Sequence, residues 1–340
     1  MLTTTLTGVR GRPPRTSREA DVDGATVRYL PTPARYRWFG FTPSLRRELN
    51  GLPRPDVVHV FGFRDYVGTV TAAWCRGRGI PYVFEALGMF RPKLRKVLLK
   101  RILDPTLYRS LPRGAALVIA ASELERRELA AVVPAERIAV RPNGFPPPQP
   151  AAARPGWLRR RLGIGAEVPL VLSVGRLAEG KGLALLVSAL REIEDAHLAL
   201  VGPDDGQGTT ARLRHLAAEA GVEPRVHLLG PVEDAQPLYG DADVFVLASA
   251  HENFGMVAAE AAAAGVASVV TDRCGVAELL RDRAALVVPY RPDAVLGAVS
   301  RLLADEKLRA ELGSGGRDVA REVSWTSVAR RQIDLYERVV

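Results

Sequence analysis

Residues 244–270 read VFVLASAHENFGMVAAEAAAAGVASVV, and this stretch decides the fold class. It predicts a buried strand, a loop at 251–255, an apolar helix up to Ala264 and a second buried strand. An apolar strand that runs through a helix into another apolar strand is typical of α/β proteins, whose parallel sheets are covered by helices on both faces. Open sheets of this kind bind ligands at the carboxyl ends of their strands, where this loop lies.

The same alternation extends over most of the 340 residues. Short apolar runs that predict strands recur at 56–61, 81–84, 116–121, 138–141, 170–174, 198–201, 226–229, 243–248 and 268–271. Residues 145–155 interrupt the pattern with FPPPQPAAARP, because proline neither completes a strand ladder nor continues a helix. The sequence therefore predicts two doubly wound, Rossmann-like domains, 1–145 and 156–320, joined by a linker at 146–155, with a ligand site in the cleft between them.

The composition limits the class of protein but does not identify its binding partner. Hydrophobic residues make up 47% of the chain, and its formal net charge of +9 suits nucleic acid, an anionic membrane surface or a phosphorylated substrate. The two cysteines, Cys75 and Cys274, have no metal-ligand spacing, and the N-terminus has no apolar signal-peptide core. No run of about 18 apolar residues occurs. We therefore expect a soluble or membrane-peripheral protein of the cytoplasm, without disulfides.

The loop at 251–255 and the helix that follows it offer an anion site. Four backbone amides fall at the helix N-terminus, those of Phe254, Gly255, Met256 and Val257. Such amides, together with the helix dipole, stabilise an anion such as a diphosphate. Glu252 in the loop and Glu260 in the helix provide acceptors for two separate sets of sugar hydroxyls. The alternative is a capping Glu252 and a solvated Glu260, although an unpaired carboxylate in an apolar helix is costly.

A second segment, 170–190, reads LVLSVGRLAEGKGLALLVSAL and predicts a buried strand, a glycine-rich turn and an apolar helix. Arg176 follows the strand, and Lys181 lies close to the start of the helix. The two cations suit a diphosphate, and arginine is able to bind it in a bidentate manner. The alternative is a surface turn with two solvated cations.

Together the two segments resemble glycosyltransferase family 4, retaining enzymes with the GT-B fold. The family's G-R-x-x-x-x-K-G turn matches residues 175–182, and its E-x7-E motif matches Glu252 and Glu260. By this resemblance Arg176 and Lys181 bind the donor diphosphate. Glu252 then faces the donor sugar, and Glu260 binds the ribose hydroxyls. The resemblance thus makes Arg176, Lys181 and Glu252 the catalytic residues.

The resemblance also implies residues that bind the donor and the acceptor. The donor-binding set consists of Gly175, Gly202, Gly230, Asn253, Phe254, Gly255, Met256, Val257 and Glu260. On the acceptor side, Leu87 and Gly88 stand where the family often has His-Gly, so a histidine often placed beside the transferred sugar is absent. The segment 321–340 resembles the family's final helix, which crosses back onto the N-terminal domain.

The activity that the resemblance implies is retaining transfer of a hexose-type sugar from a UDP- or GDP-linked donor. The acceptor hydroxyl belongs to a glycan, a lipid-linked molecule or a small molecule. No metal and no cofactor are expected, because the two cations and the helix amides meet the diphosphate charge, and no nucleic acid is expected as a partner. The alternatives are a non-catalytic nucleotide-sugar-binding or membrane-associated remnant, and a nucleotide-sugar epimerase, which needs further acid/base carboxylates.

Two regions of the N-terminal half carry expectations of their own. Residues 91–113 mix basic and apolar residues at helical spacing, which is typical of a helix on an anionic membrane surface but also fits an ordinary covering helix. Residues 2–6 resemble the family's second strand, and an arginine- and proline-rich loop is expected from there to Asp23. We therefore expect that the domain lacks its first strand, glycine loop and helix, and that transfer is weak or absent.

Overall fold

The computed structural model describes residues 1–4, 19–36, 39–90, 108–148 and 156–340. The chain divides into two compact units. The N-terminal unit comprises Met1–Ala120, Glu125–Val140 and Gln332–Val340, and the C-terminal unit comprises Ala121–Leu124 and Arg141–Arg331. Strands and helices alternate in both units, which confirms the α/β class.

The N-terminal unit is built mainly on parallel strands. Its described strands are β1 (Leu2–Thr4), β2 (Glu19–Val22), β3 (Ala25–Leu30), β4 (Ala34–Tyr36), β5 (Phe39–Phe41), β6 (Val58–Phe61), β7 (Tyr82–Glu85), β8 (Leu117–Ala120) and β9 (Ile138–Val140). The described helices before residue 140 are α1 (Leu45–Asn50), α2 (Tyr66–Arg78), α3 (Ser110–Arg113) and α4 (Glu123–Leu129). β6 to β9 pair in parallel in sequential order, β3 lies between β1 and β2, and β4 pairs with β5.

The hairpin of β2 and β3 corrects one expectation, because the sequence predicts a loop as far as Asp23. The two strands are joined by Asp23 and Gly24, whose φ angles are +51° and +80°. Asp21 Oδ1 accepts a hydrogen bond from the amide of Gly24 at 3.0 Å. A two-residue Asp-Gly turn with both φ angles positive is a strong hairpin signal. The loop prediction is therefore wrong for residues 19–22, while residues 5–18 lie outside the described part of the chain.

The C-terminal unit is built on a parallel sheet. Within residues 156–340 its strands are β10 (Leu170–Val174), β11 (His197–Val201), β12 (Val226–Gly230), β13 (Val244–Leu247), β14 (Ser268–Thr271) and β15 (Ala285–Val288). Their order across the sheet is β12-β11-β10-β13-β14-β15, which is the order 3-2-1-4-5-6 of a doubly wound fold. The winding reverses between β10 and β13, and ligands bind at the carboxyl ends of the strands that flank such a reversal.

Helices cover the faces of this sheet. Over residues 156–340 they are α5 (Trp157–Leu162), α6 (Leu183–Ala189), α7 (Thr209–Glu219), α8 (Gln236–Tyr239), α9 (Met256–Ala263), α10 (Ala277–Leu280), α11 (Pro292–Ala304), α12 (Glu306–Glu322) and α13 (Trp325–Glu337). Every strand that the sequence predicts overlaps an observed one, whereas β2, β3, β4, β5 and β15 were not predicted.

Small residues allow α9 to pack closely against α12. Helix α9 reads MVAAEAAA, and five of its alanines are buried. A Cβ atom on Gly316 of α12 would lie 2.7 Å from the carbonyl oxygen of Ala262. A Cβ atom on Gly313 would lie 2.3 Å from the carbonyl oxygen of Gly265, just after α9. The position of α9, which carries Glu260, is therefore fixed by backbone contact.

The end of α13 belongs to the N-terminal unit. His59 Nδ1 and the Tyr336 hydroxyl lie 2.7 Å apart. Leu335 is buried in an apolar cluster with Val83, Leu117 and Ile119 of β7 and β8. The C-terminal residues thus complete one face of the N-terminal sheet.

The basic segment 91–113 lies largely outside the described residues, which resume at 108. Only its last part is described, and it contains the short helix α3. Within the described part of the chain, no helix combines the length and the apolar character that crossing a bilayer requires.

Two histidines on neighbouring strands make the stability of the C-terminal unit depend on pH. His197 Nδ1 and His227 Nε2 lie 2.8 Å apart. Burial lowers the pKa of both imidazoles, and the positive charge of Arg225 lowers that of His197 further. The unfolded chain therefore binds more protons than the folded one between the two sets of pKa values. Stability is full above about pH 6.5 and is lost as the pH falls through the folded-state values.

We expect His227→Gln to reduce this loss of stability at low pH, because one of the two imidazoles is then removed. The measurement is the free energy of unfolding in urea at about pH 7.5 and about pH 5.5. His215→Gln is the control, since the His215 side chain is 76% exposed and lies on the surface of α7. An equal fall in wild type and His227→Gln would contradict the assignment.

Candidate functional site

The two segments that the sequence singled out meet at the winding reversal between β10 and β13. After β10 the chain forms a tight turn at Glu179–Lys181, and the amide of Ala250 donates to the carbonyl oxygen of Gly180 at 3.0 Å. Gly182 follows with a φ of +65°, and a Cβ atom there would lie 1.9 Å from the carbonyl oxygen of Ala248. Only glycine allows this approach, which holds the turn against the end of β13.

The contact between the turn and the loop brings Lys181 and Glu252 together. Lys181 Nζ and Glu252 Oε2 form a direct ion pair. The two side chains are 26% and 23% exposed, so the pair lies at the surface of the site and is accessible to a ligand. A partly exposed pair of this kind contributes little to stability, because water screens it. Its charges are therefore available for exchange with a charged ligand.

The strands β10, β11 and β12, on one side of the reversal, each end at or directly before a glycine. Gly175 follows β10 and donates its amide to Val201 O at 2.8 Å, and Gly202 donates to Gly230 O at 2.8 Å. The φ angles of Gly175 and Gly202 are +141° and +142°. A Cβ atom on Gly202 would lie 1.9 Å from the carbonyl oxygen of Gly175. This edge of the sheet is therefore bare backbone, and the exposed Arg176 lies directly beside it.

The loop that carries Glu252 is held by the loop after β14. Glu252 donates its amide to Arg273 O at 2.9 Å and accepts from the amide of Gly275 at 3.0 Å. The hydroxyl of Ser122 donates to the carbonyl oxygen of Asn253 at 3.0 Å. A Cβ atom on Gly275 would lie 1.9 Å from that same oxygen, so glycine is required there. The glutamate is thus placed by a rigid backbone.

The N-terminus of α9 is open for an anion. Gly255 precedes the helix with a φ of +107°, and no side chain caps it. The first amides of a helix have no intrahelical acceptor and carry partial positive charge. Phe254 is 3% exposed, and its ring centroid lies 6.2 Å from that of Phe145. Its side chain therefore belongs to the core, and only its backbone is offered to a ligand.

Glu260 has a partner that the sequence reading missed. The hydroxyl of Tyr239 in α8 donates to Glu260 Oε2 at 2.7 Å, and Tyr239 is fully buried. Burial, reinforced by the negative charge of Glu260, raises the pKa of the Tyr239 phenol, so it stays protonated and donates. This bond to a half-buried carboxylate disfavours the solvated Glu260 of the alternative interpretation. The cost of an unpaired carboxylate in an apolar helix indicated a partner without identifying it.

Leu87 and Gly88 belong to the N-terminal unit and form a turn after β7. Their φ angles are +52° and +72°, and the amide of Gly88 donates to Glu125 Oε1 at 2.8 Å. A bulky residue at positive φ is strained, and such strain often accompanies function. The Leu87 side chain is 48% exposed.

The C-terminal unit thus has a doubly wound, Rossmann-like sheet, with cations, an open helix N-terminus and bare strand ends at its winding reversal. Two family models match the chain: "Glycosyl transferases group 1" over residues 158–319 and "Glycosyl transferase 4-like domain" over residues 2–144. The chain belongs to the GT-B glycosyltransferases of family 4, as the motifs predict.

The chain is also similar to curated glycosyltransferases. D-inositol 3-phosphate glycosyltransferase of Xylanimonas cellulosilytica is 37% identical over 214 residues, 59% of this chain and 51% of that protein. The chain spans about half the length of the curated relatives it matches.

Two solved structures show the same fold. Sucrose-phosphate synthase from Thermosynechococcus elongatus gives a TM-score of 0.76 at 22% identity, over 99% of this chain and 88% of that one. Anabaena HepE, solved in complex with UDP, gives a TM-score of 0.76 at 20% identity, over 92% of this chain and 86% of that one.

We expect Gly182→Ala to lower the free energy of unfolding by about 2 kcal/mol or more, since it adds a left-handed penalty and a backbone clash. Gly180→Ala, in the same turn, is the matched control, because no heavy atom lies within 4 Å of its Cβ position. It should cost less than about 0.5 kcal/mol. Urea unfolding measures both, and equal losses would show that the close approach to Ala248 does not constrain the turn.

Proposed function

We propose that the chain is a retaining, metal-independent glycosyltransferase that moves a hexose-type sugar from a nucleotide-sugar donor to a hydroxyl acceptor. The observation that carries this proposal is the Lys181–Glu252 pair, which lies at the winding reversal close to the open N-terminus of α9. The pair combines a cation for a diphosphate with a carboxylate for sugar hydroxyls.

The departing diphosphate gains negative charge as the sugar leaves. Arg176, Lys181 and the amides at the start of α9 meet this charge, which is the electrostatic stabilisation that catalysis requires. The turn that carries Lys181 and the helix that carries the amides are held by backbone contacts, so little reorganisation is needed when the bond breaks.

Donor binding exchanges the partner of Lys181. In the structure Glu252 neutralises the charge of Lys181. A diphosphate carries more charge than one carboxylate and takes the lysine, and Glu252 is then released to accept hydrogen bonds from the sugar. Glu260, held by Tyr239, accepts from the ribose hydroxyls.

Likeness to a solved structure supports the choice of donor. Anabaena HepE has been solved with UDP and with UDP-glucose, and we propose a UDP-linked sugar rather than a GDP-linked one. The acceptor is a glycan, a lipid-linked molecule or a small molecule, and the turn at Leu87 and Gly88 is proposed to contact it. The name of the Xylanimonas relative, which refers to D-inositol 3-phosphate, favours a small polyol as the first acceptor to test.

Lys181→Ala should weaken binding of UDP by about 10- to 100-fold, which corresponds to a charged hydrogen bond of about 1.5–3 kcal/mol. Lys307→Ala is the matched control, because the Lys307 side chain is 88% exposed and lies in α12. Calorimetric titration of UDP measures both variants. Equal affinities of the two variants would overturn the placement of the diphosphate.

Glu252→Gln distinguishes the contribution of the sugar to donor binding from that of the diphosphate. The variant should bind UDP at least as tightly as the wild type, because Lys181 is released, but it should lose the additional affinity that UDP-glucose gains from its sugar. Glu311→Gln, a 60% exposed carboxylate in α12, is the control. If Glu252→Gln weakens UDP and UDP-glucose alike, Glu252 has no role specific to the sugar.

A further inference from the structure

Glu260 stands out chemically in its helix. After Met256 and Val257, the other residues of α9 are alanines. Among the ion pairs of the described residues, none includes Glu260. Tyr239 donates a hydrogen bond to this carboxylate, so the orientation of the carboxylate depends on that bond.

That partner, Tyr239, is held rigidly. Its ring is fully buried, and its centroid lies 5.7 Å from that of Phe245 in an edge-to-face arrangement. It belongs to the apolar cluster that also contains Leu238, Ala258 and Ala262. Close packing of this kind restricts the side chain, and with it the position of its hydroxyl.

We propose that Tyr239 is a positioning residue, which orients the Glu260 carboxylate toward the ribose hydroxyls of the donor. The inference rests on the proposed function. The phenol occupies one acceptor site on Oε2, and the other oxygen remains for a ligand hydroxyl. The ligand group recognised is therefore a vicinal diol, which binds to the Glu260 carboxylate in the orientation set by Tyr239.

A neutral donor suits this task better than a cation. Lysine or arginine would neutralise the carboxylate and compete with a sugar hydroxyl for its oxygens. The phenol donates one hydrogen bond and adds no charge, because its raised pKa keeps it protonated. The carboxylate thus keeps both its charge and its acceptor capacity.

The test compares UDP with 2′,3′-dideoxy-UDP, which lacks both ribose hydroxyls. Calorimetry on the whole chain gives the ratio of the two affinities. Wild type should prefer UDP, and Tyr239→Phe, which keeps the ring and removes the hydroxyl, should weaken UDP binding about tenfold. Binding of the dideoxy nucleotide should not change, so the preference falls. Glu260→Gln should lower the preference as well, and the double variant should lose little more than either single one.

Tyr82→Phe is the matched control. Tyr82 is also buried, and its hydroxyl donates to the carbonyl oxygen of Leu111 at 2.6 Å in the N-terminal unit. The Tyr82→Phe variant loses a comparable buried hydrogen bond, and its preference for UDP over 2′,3′-dideoxy-UDP should equal that of the wild type.

The possible results distinguish a failure of the positioning role of Tyr239 from a failure of the proposed function. If the wild type binds UDP and Tyr239→Phe keeps the full preference, the positioning role is overturned while the proposed function stands. The positioning role is also overturned if Tyr239→Phe weakens the binding of both nucleotides equally, which indicates a purely structural tyrosine. If the wild type does not bind UDP, the proposed function fails and the inference fails with it.

Discussion

The C-terminal unit depends on one close approach, that of the turn after β10 to the end of β13. Gly182 makes this approach possible, since any side chain there would meet the carbonyl oxygen of Ala248. The hydrogen bond from Ala250 to Gly180 then fixes the turn in place. As a result Lys181 faces Glu252, although 71 residues separate them in the sequence. The ion pair is therefore a consequence of backbone packing, and the attraction of this partly exposed pair does not have to create it.

The sequence predicted β10 to β14 of the C-terminal sheet, but not β15, because the apolar runs of those five strands are continuous and bounded by turns. Through the resemblance to family 4 it predicted that Lys181 and Glu252 serve one donor site, but it did not predict their direct ion pair. The hairpin at Asp23 was missed, although its Asp-Gly turn was readable, because the surrounding arginines and prolines indicated a loop. Tyr239 was out of reach, since its bond to Glu260 depends on how α8 and α9 pack and no local pattern encodes that.

The two glutamates of the motif illustrate two ways to hold a carboxylate. Glu252 lies on a loop whose backbone is fixed by Arg273 and Gly275, and its charge is met by an exchangeable cation. Glu260 lies on a helix fixed by glycine contacts, and its charge is met by a neutral phenol. In the proposed mechanism this difference has a function. The first carboxylate changes partner when the donor arrives, whereas the second keeps its partner and its orientation throughout.

A crystal structure of the chain with UDP tests the proposed donor site most directly. The diphosphate should lie within about 3.2 Å of Lys181 Nζ and of at least one amide at the start of α9, and the Lys181–Glu252 pair should be open. The ribose should lie against Glu260, with the Tyr239 hydrogen bond intact. A diphosphate bound away from Lys181 and the N-terminus of α9, or an ion pair that stays closed with UDP bound, would contradict the assignment of this site.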